Sequence, residues 1–563
     1  MDVVAANVTK NVGQTVSAAA PPEWLNNADN AWQMVAATLV AMMSIPGLAA
    51  MYAGMVLNNH WRTNAALMVF YGFGATLLCW VLIAYNLAFG EWWAFFVGQP
   101  GVALKHNYLL NRAGLPASTA VEKMANFPMA SLVYFQFAFA AVAVVLVAGS
   151  LLGRMKIHAW MLFAPLWLIF SYTVGAFSMW GGGFLYRWGI IDSAGGFVVH
   201  LAAGTAGFTA AAWIGEKPNN RENNIIGPQP DIGQVNEQEI NIEPQQANEQ
   251  RNDIEPNNRR VNEQGNNMIR PQAVQVDEHG NNIIGPQPDI VGKVNEPRPG
   301  TQQAREIFDL PLVIVGAGLL WIGWTGFNGG APLASGLDAS LAVLNTYIAA
   351  ATSMVSWTLL DCVFDTHRRP SLVHAIQGMV VGLVCITPAA GVVEGWAAII
   401  IGAFGGGMTR CIARYRSIFR IQAENEHGGR LTRLFRRFWI RLNKVDDKLR
   451  VVETHAIPGM LGGLLAGLLA EPTLCDLYLP IKGSKGVFYG HPFQLVKQLS
   501  AIFFVVILNI AMTSLICWLI SLRMPQMVEG DRPTPEREHT LAFWGQSMGE
   551  VIQRPGEDLR IDI

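Results

Sequence analysis

Eleven apolar runs, each long enough to cross a hydrocarbon core of ~30 Å, constrain the fold of this chain more than any other feature. Backbone groups inside a bilayer must bond within their own segment, so runs of this length favour membrane-spanning helices. The composition agrees, because 51% of the residues are hydrophobic and only 14% are charged. The sequence therefore predicts an all-α polytopic membrane protein in contact with the lipid bilayer. The predicted spans are residues 29–57, 63–90, 130–152, 157–180, 190–214, 309–330, 337–364, 371–391, 394–411, 450–470 and 495–522.

Basic residues on alternate connections predict how the spans are oriented. Arg62 follows span one, Arg154 and Lys156 follow span three, Arg368 follows span seven, and the basic stretch 410–450 follows span nine. Cytoplasmic connections carry an excess of lysine and arginine, so we assign these connections to the cytoplasm. An odd number of spans places the two termini on opposite sides. We therefore expect a multi-pass plasma-membrane protein with its N-terminus outside and its C-terminus in the cytoplasm.

The frame D-x7-H-x3-G-x2-G occurs twice, at residues 192–207 and 447–462, with His200 and His455 at matching positions. Two copies of a five-span unit must lie in opposite orientations, as in the inverted repeats of many transporters. The predicted fold is thus eleven transmembrane helices, in a 5+5 inverted repeat plus a final helix. The histidines are expected to meet near the middle of the membrane. Asp192 and Asp447 fall at opposite ends of their spans, so only the histidines are expected to share a function.

The other segments divide the chain around these repeats. Residues 216–305 are rich in Asn, Gln, Pro and Glu and contain the string NNIIGPQPDI at 223–232 and again at 281–290. Such a composition buries too little apolar surface to fold alone, so we expect disorder there. The expected segments are an extracellular N-terminus (1–28), a first membrane repeat (29–215), a cytoplasmic insert (216–305), a second repeat (306–470) with a basic cytoplasmic loop (410–450), an extracellular loop with span eleven (471–523) and a cytoplasmic tail (524–563).

Several classes of function are disfavoured. The sequence contains no hydrolytic, nucleotide-binding or redox motif, so we expect neither an enzyme nor a cofactor. The net charge of −2 gives no argument for nucleic acid as a partner. His200 and His455 lack a third ligand at metal-binding spacing, so no metal site is expected. Two interpretations of these histidines stay open at this point: a functional intramembrane pair, or two unrelated hydrogen-bonded core residues.

Seven motifs follow one another along the membrane region, namely WQMVAATLVAMMSIPGLAAMYAG (32–54), FQFAFA (135–140), MWGGG (179–183), DSAGGFVVHLAAG (192–204), GAGLLWIGWTGFNGGAP (316–332), QGMVVGLVCITPAAG (377–391) and THAIPGMLGG (454–463). Together they resemble the ammonium transporter family, which includes the microbial, fungal and plant ammonium permeases and the Rhesus proteins. Spans six and eleven are most similar to the plant-type members. The resemblance implies a homotrimer with one eleven-helix pore per subunit, in agreement with the span count.

The resemblance further implies an aromatic outer site and a gate. Trp180, Phe135 and Phe139 would recruit a cation on their ring faces. A serine hydroxyl often completes this site in the family, but Ala331 stands at that place here. A neutral acceptor is thus missing, and the outer site is expected to be weaker or differently built. Phe139 and Phe327 would form a stacked gate below it. Aromatic residues also pack against lipid, so these pore roles rest on the resemblance alone.

The same resemblance assigns His200 and His455 to the pore and makes Asp192 the buried structural carboxylate near the outer site. Asp192 precedes the start of span five, so helix capping is the alternative to direct substrate contact. The tail string EHTLAFWG (538–545) is similar to the segment through which family members couple the pores of a trimer. Thr540 within it is a candidate phosphorylation switch for tail regulation.

The expected function follows from the cost of moving charge through a membrane. A charge at the bilayer centre costs at least ~2.5–3.5 kcal/mol, whereas neutral ammonia avoids that cost. Ammonium, with methylammonium as a second candidate substrate, would be recruited outside and deprotonated. Ammonia would pass the histidines while the proton moves separately, since a neutral imidazole has one donor and one acceptor. We therefore expect electrogenic ammonium uptake, with an electroneutral ammonia channel and an ammonium sensor as alternatives.

Overall fold

Apolar helices build most of the chain that the structure describes. The computed structural model describes residues 21–56, 59–115, 123–215, 309–364, 369–422, 445–525 and 527. Within these ranges, ten helices are long and apolar enough to cross a membrane, and Leu372–Ile386 is apolar but shorter. The predicted all-α polytopic fold is confirmed. The helices are α1 (Asn27–Met55), α2 (Trp61–Phe89), α3 (Met129–Gly149), α4 (Ile157–Trp188), α5 (Gly196–Ile214), α6 (Leu310–Gly330), α7 (Leu337–Phe364), α8 (Leu372–Ile386), α9 (Gly395–Gln422), α10 (Val452–Leu469) and α11 (Phe493–Arg523).

Two helices, α5 and α8, are shorter than the predicted spans. The regular part of α4 ends at Met179, close to the end of its predicted span at 180, and the chain turns before a short helix, Phe184–Trp188. α5 begins at Gly196 rather than at 190. α8 ends at Ile386 rather than at 391, where Pro388 cannot donate a backbone hydrogen bond. Irregular backbone at membrane depth is tolerated where protein buries it or where it lines a cavity.

The basic segment 410–450 is helical in its first part. α9 ends at Gln422 rather than at the predicted 411. Arg410 bonds to Asp361 of α7, and Arg416 forms an ion pair of 2.8 Å with Glu453 of α10. These ion pairs tie the extended helix to its neighbours, which hydropathy alone could not predict. The rest of the segment as far as 444, the insert 216–305 and the tail beyond 527 lie outside the described residues.

The two histidine frames pack against each other reciprocally. A β-carbon on Gly204 would lie 2.7 Å from the backbone nitrogen of Ala456, the residue after the second histidine. A β-carbon on Gly459 would lie 3.2 Å from the backbone nitrogen of Leu201, the residue after the first histidine. Small residues allow such close helix crossings. Each frame's first glycine thus admits the backbone beside the other frame's histidine, as an inverted repeat requires.

Two small antiparallel hairpins cover one end of the bundle. β1 (Trp92–Ala94) pairs with β2 (Val97–Gly98), and β3 (Arg112–Leu115) pairs with β4 (Lys123–Pro128). Phe95, in the turn of the first hairpin, stacks on Phe184 with ring centroids 5.2 Å apart. The hairpin therefore packs beside the break in α4. This end of the bundle, which carries Trp180, is called the Trp180 end; the opposite end, which carries Arg154, is called the Arg154 end.

Candidate functional site

A cavity of about 100 Å³ opens at the Trp180 end, between the end of α4 and the loop that precedes α5. Its wall contains Phe135, Phe139, Trp180, Asp192 and Ala331. One water molecule occupies about 30 Å³ of liquid, so the cavity has room for an ion of that size. The structure thus brings the predicted recruitment residues and the predicted carboxylate into one wall.

Aromatic rings from three helices close the base of this cavity. The rings of Phe139 and Phe327 stack with centroids 4.0 Å apart and an interplanar angle of 21°. Phe135 lies 4.8 Å from Phe139, and Trp180 meets Phe139 edge-on at 6.2 Å. Phe139 is 2% exposed and Phe327 is fully buried. Phe139 is therefore common to the cavity wall and to the stacked pair beneath it.

Asp192 fixes both the start of α5 and the position of Trp180. Its carboxylate accepts hydrogen bonds from the backbone N–H groups of Gly195, Phe197 and Val198 at 3.2, 3.0 and 3.2 Å. Its backbone carbonyl accepts the indole N–H of Trp180 at 2.8 Å. The carboxylate is thus occupied by a helix N-terminus, where negative charge is favourable. This geometry favours the capping role over direct substrate contact.

His200 and His455 lie in contact, each within a π-helical turn at the start of its helix. Their Nδ1 atoms are 3.3 Å apart, and neither residue is more than 7% exposed. One Nδ1 must donate and the other accept, so the two rings are in different tautomers when both are neutral. The Nε2 atom of His200 is buried and has no hydrogen-bond partner in the described chain. The predicted histidine pair is therefore a hydrogen-bonded unit.

The rings form a continuous column from the cavity to the histidines. The ring of Phe327 lies 5.6 Å from that of His200, and the rings of His200 and His455 are 5.3 Å apart. Trp324 stacks on the other side of His200 at 5.3 Å, and its indole N–H donates to Thr387 at 2.9 Å. Because α5, α6 and α10 each supply part of this column, it lies between the two repeats. Transporters of this class bind substrate at such an interface.

Two polar residues of the cavity wall were missed in the sequence. Gln136 is 7% exposed, and its Oε1 has no hydrogen-bond partner among the described residues. The hydroxyl of Tyr186, which lines the same cavity, also has none there. The expectation that the outer site is weaker or differently built stays a prediction, and Gln136 and Tyr186 are candidate acceptors in its wall. Gln136 could have been noticed as a lone amide in the apolar span that contains FQFAFA, because polar residues inside membrane helices tend to be functional.

Asp447 caps α10 in the way that Asp192 caps α5. The backbone N–H of Val452, five residues after Asp447, donates to its carboxylate at 2.9 Å. The N–H of Phe197 stands five residues after Asp192 and makes the matching bond at 3.0 Å. Burial raises the pKa of the Asp447 carboxyl, and the hydrogen bond from Val452 opposes that shift. Both carboxylates thus cap their helices, and that only the histidines share a function stays a prediction.

His374 of α8 bonds to Asp361 of α7 at 2.8 Å, a carboxylate that also pairs with Arg410. Among the residues that the structure describes, no group of three or more His, Cys, Asp or Glu side chains is placed to hold a metal ion. Thr540 lies outside the described ranges.

Comparisons with known proteins agree with this arrangement. The profile of the Ammonium Transporter Family matches residues 31–233 and 290–538. Ammonium transporter 3 member 2 of Oryza sativa subsp. japonica is 40% identical over 577 residues, covering 99% of this chain and 98% of that protein. Ammonium transporter 2 of Arabidopsis thaliana is 42% identical over 532 residues, covering 93% and 90%. The crystal structure of Saccharomyces cerevisiae Mep2 shares the fold, with a TM-score of 0.64 at 20% identity, covering 90% of this chain and 88% of that one.

Proposed function

Because the chain belongs to the Ammonium Transporter Family, we propose that it takes up ammonium electrogenically, with the proton and the ammonia moving separately past His200 and His455. The observation that carries this proposal is the hydrogen-bonded histidine pair at the base of an aromatic column. In this proposal the Trp180 end faces outward and the Arg154 end faces the cytoplasm, as the basic connections predict.

Recruitment takes place in the cavity at the Trp180 end. The faces of Phe135, Phe139 and Trp180 attract a cation by ~0.5–2 kcal/mol for each favourable contact. An ammonium ion has four N–H donors, and ring faces alone leave some of them without an acceptor. The Oε1 of Gln136 and the hydroxyl of Tyr186 accept such donors in place of the hydroxyl that Ala331 lacks. The site therefore prefers small cations that carry N–H groups.

Replacing Gln136 by Leu is expected to raise the ammonium concentration for half-maximal uptake by about tenfold. A hydrogen bond to a charged group contributes ~1.5–3 kcal/mol, and the substitution removes one such bond while keeping an apolar side chain of similar size. Uptake of ¹⁵N-ammonium at graded concentrations measures the change. Ala331→Ser in the same background should restore part of the affinity. A Gln136→Leu protein with unchanged half-saturation would remove Gln136 from the site.

Passage beyond the gate requires loss of the proton from the cation. The stacked Phe139 and Phe327 rings leave no polar partner for a hydrated ion, and a charge in this apolar region costs at least ~2.5–3.5 kcal/mol. Neutral ammonia passes without that cost and can bond to the buried Nε2 of His200. The stacked rings thus allow ammonia to pass and exclude ammonium, so the proton must cross by another route.

The histidine pair provides that route. When the Nδ1–H of one ring donates to Nδ1 of the other, the first ring accepts a proton at Nε2 and passes its Nδ1 proton across the 3.3 Å contact, and the second ring then releases its Nε2 proton. Net transport then moves one positive charge with each ammonia. An electroneutral ammonia channel would need no such contact, and an ammonium sensor would bind substrate with little flux. Yeast growth distinguishes the sensor from a transporter, and the current that accompanies uptake distinguishes the channel from electrogenic uptake.

Growth of a yeast strain that lacks its own ammonium permeases tests the transport proposal first. Expression of this chain is expected to restore growth on low ammonium and to make the cells sensitive to methylammonium. Absence of rescue by protein that reaches the plasma membrane would contradict uptake and favour the sensor.

The assembly is proposed to be a homotrimer in the plasma membrane, as the family resemblance implies. Leu337 and Val363 of α7 are 81% and 74% exposed, so an isolated chain presents apolar surface to lipid or to neighbouring subunits. Native mass spectrometry of the extracted protein, whose chain mass is 61.5 kDa, distinguishes a trimer from a monomer. The role of Thr540 in tail regulation stays a prediction.

A further inference from the structure

The final helix, α11, belongs to neither repeat, yet two of its buried amides hold the loop that leads to Asp192. The side-chain N–H₂ of Gln498 donates to the carbonyl of Ile191 at 2.7 Å, and its Oε1 accepts the N–H of Ile191 at 3.0 Å. Gln494, one turn earlier, donates to the carbonyl of Gly189 at 3.0 Å. Both glutamines are fully buried. Three backbone groups of this loop are thus hydrogen-bonded to α11.

Gln498 also connects the loop to the second repeat. The same side-chain N–H₂ that holds Ile191 donates to the carbonyl of Gly463 in α10 at 2.9 Å. One amide therefore joins α11, the start of the α5 frame and the helix that carries His455. Asp192 follows Ile191 directly, and its carbonyl holds the Trp180 indole. Since Ile191 is covalently bonded to Asp192, and Asp192 is hydrogen-bonded to Trp180, a shift of Ile191 would also displace Trp180.

The matching loop at the Arg154 end is held differently. Residues 445–450 precede α10, and there the guanidinium of the fully buried Arg154 donates to the carbonyl of Asp446 and to that of Gly215. A guanidinium near a cation-binding cavity would repel the substrate, because like charges raise each other's free energy where water is displaced. A glutamine amide supplies a donor and an acceptor without any charge. The two loops of the inverted repeat are thus fixed by chemically different groups.

We propose that Gln498, supported by Gln494, is a positioning residue for the cation site: it fixes Ile191, and through it Asp192 and Trp180, with a neutral group. This inference rests on the proposed function, because it assumes that the cavity lined by Trp180 recruits ammonium. As a result, a neutral amide from α11 fixes the loop at the Trp180 end, whereas a charged guanidinium fixes the matching loop at the Arg154 end.

The test is Gln498→Met, which keeps the length of the side chain and removes its hydrogen bonds to Ile191, Gly463 and Gln494. Uptake of ¹⁵N-ammonium is measured at graded concentrations and divided by the amount of protein at the cell surface. We expect half-saturation to rise at least fivefold, with a maximal rate per protein within about twofold of wild type. Gln494→Met, which loses the bond to Gly189 and a longer bond of 3.4 Å to Gln498 but keeps the bonds between Gln498 and Ile191, is expected to give a smaller shift in the same direction.

Asn509→Leu is the matched control. Asn509 is also a buried amide of α11, but it bonds to Val505 and Ser171 and not to the loop that leads to Asp192. This variant is expected to lower surface abundance or thermal stability and to leave half-saturation unchanged.

Equal shifts of half-saturation in Gln498→Met and Asn509→Leu would overturn the positioning role, as would unchanged half-saturation in Gln498→Met. If Gln498→Met does not reach the surface, Gln494→Met decides by the same criterion. A wild-type protein without uptake would instead refute the proposed function.

Discussion

Replacing both His200 and His455 by Ala is expected to reduce the ammonium current by on the order of a hundredfold. Without the 3.3 Å contact there is no relay for the proton, so charge can cross only as the intact cation. That route carries the ~2.5–3.5 kcal/mol cost of a charge at the bilayer centre, and each 1.4 kcal/mol corresponds to a factor of ten in rate. Two-electrode voltage clamp in oocytes, normalised to the amount of protein at the surface, measures the effect.

The control for this variant is His106→Ala, since His106 is an exposed histidine at the start of a short helix in the connection between α2 and α3. Its current is expected to equal that of wild type. An undiminished current in the double variant would reject the histidine relay. A lost current with retained ¹⁵N-ammonium uptake would indicate that ammonia still passes while the proton does not, which is the outcome that the separate routes predict.

Asp192→Ala is expected to cause the second large loss, in folded protein as well as in uptake. The substitution leaves the N–H groups of Gly195, Phe197 and Val198 without their acceptor, and a buried polar group left unsatisfied costs about 1–3 kcal/mol. Asp192→Asn keeps one acceptor oxygen and should lie between the two. Thermal unfolding in detergent, followed by fluorescence-detected size exclusion, measures the change in stability.

Asp447→Ala provides the comparison at the other end of the inverted repeat. It removes the equivalent cap on α10 but lies at the Arg154 end, next to Asp446, so we expect lower stability with unchanged half-saturation for external ammonium. Asp192→Asn, by contrast, should also raise half-saturation, because Trp180 is bonded to the same residue. Equal half-saturation in both variants would mean that Asp192 serves only as a cap.

Much of the architecture could be predicted from hydropathy and from one repeated frame. The apolar runs are long, and a membrane allows few backbone arrangements for them, so their number and order follow from the sequence. The meeting of His200 and His455 follows from the frame, since an odd number of spans between the two copies requires opposite orientations. The spacing of Gly204 and Gly459 then explains how closely the two helices approach.

The residues and hydrogen bonds around the cavity at the Trp180 end could not be predicted in the same way. Hydropathy averages over a window, so the predicted spans of α5 and α8 ran through the breaks at Gly195 and Ile386, and the cavity beside Met179 and Asp192 was not foreseen. It also gives no information on which backbone groups a buried amide will meet, so the bonds of Gln498 to Ile191 were not foreseen. Gln136 was missed for a similar reason, because hydropathy does not show that α3 brings it to the cavity wall.

The ratio of charge to substrate tests the central claim most directly. Oocytes that express the wild-type chain are held under voltage clamp in ¹⁵N-ammonium, and the charge moved and the ¹⁵N accumulated are measured in the same cells. Separate transfer of a proton and of ammonia predicts one elementary charge for each nitrogen taken up, at all substrate concentrations. Accumulation of ¹⁵N without a matching current would contradict the account and identify an electroneutral ammonia channel.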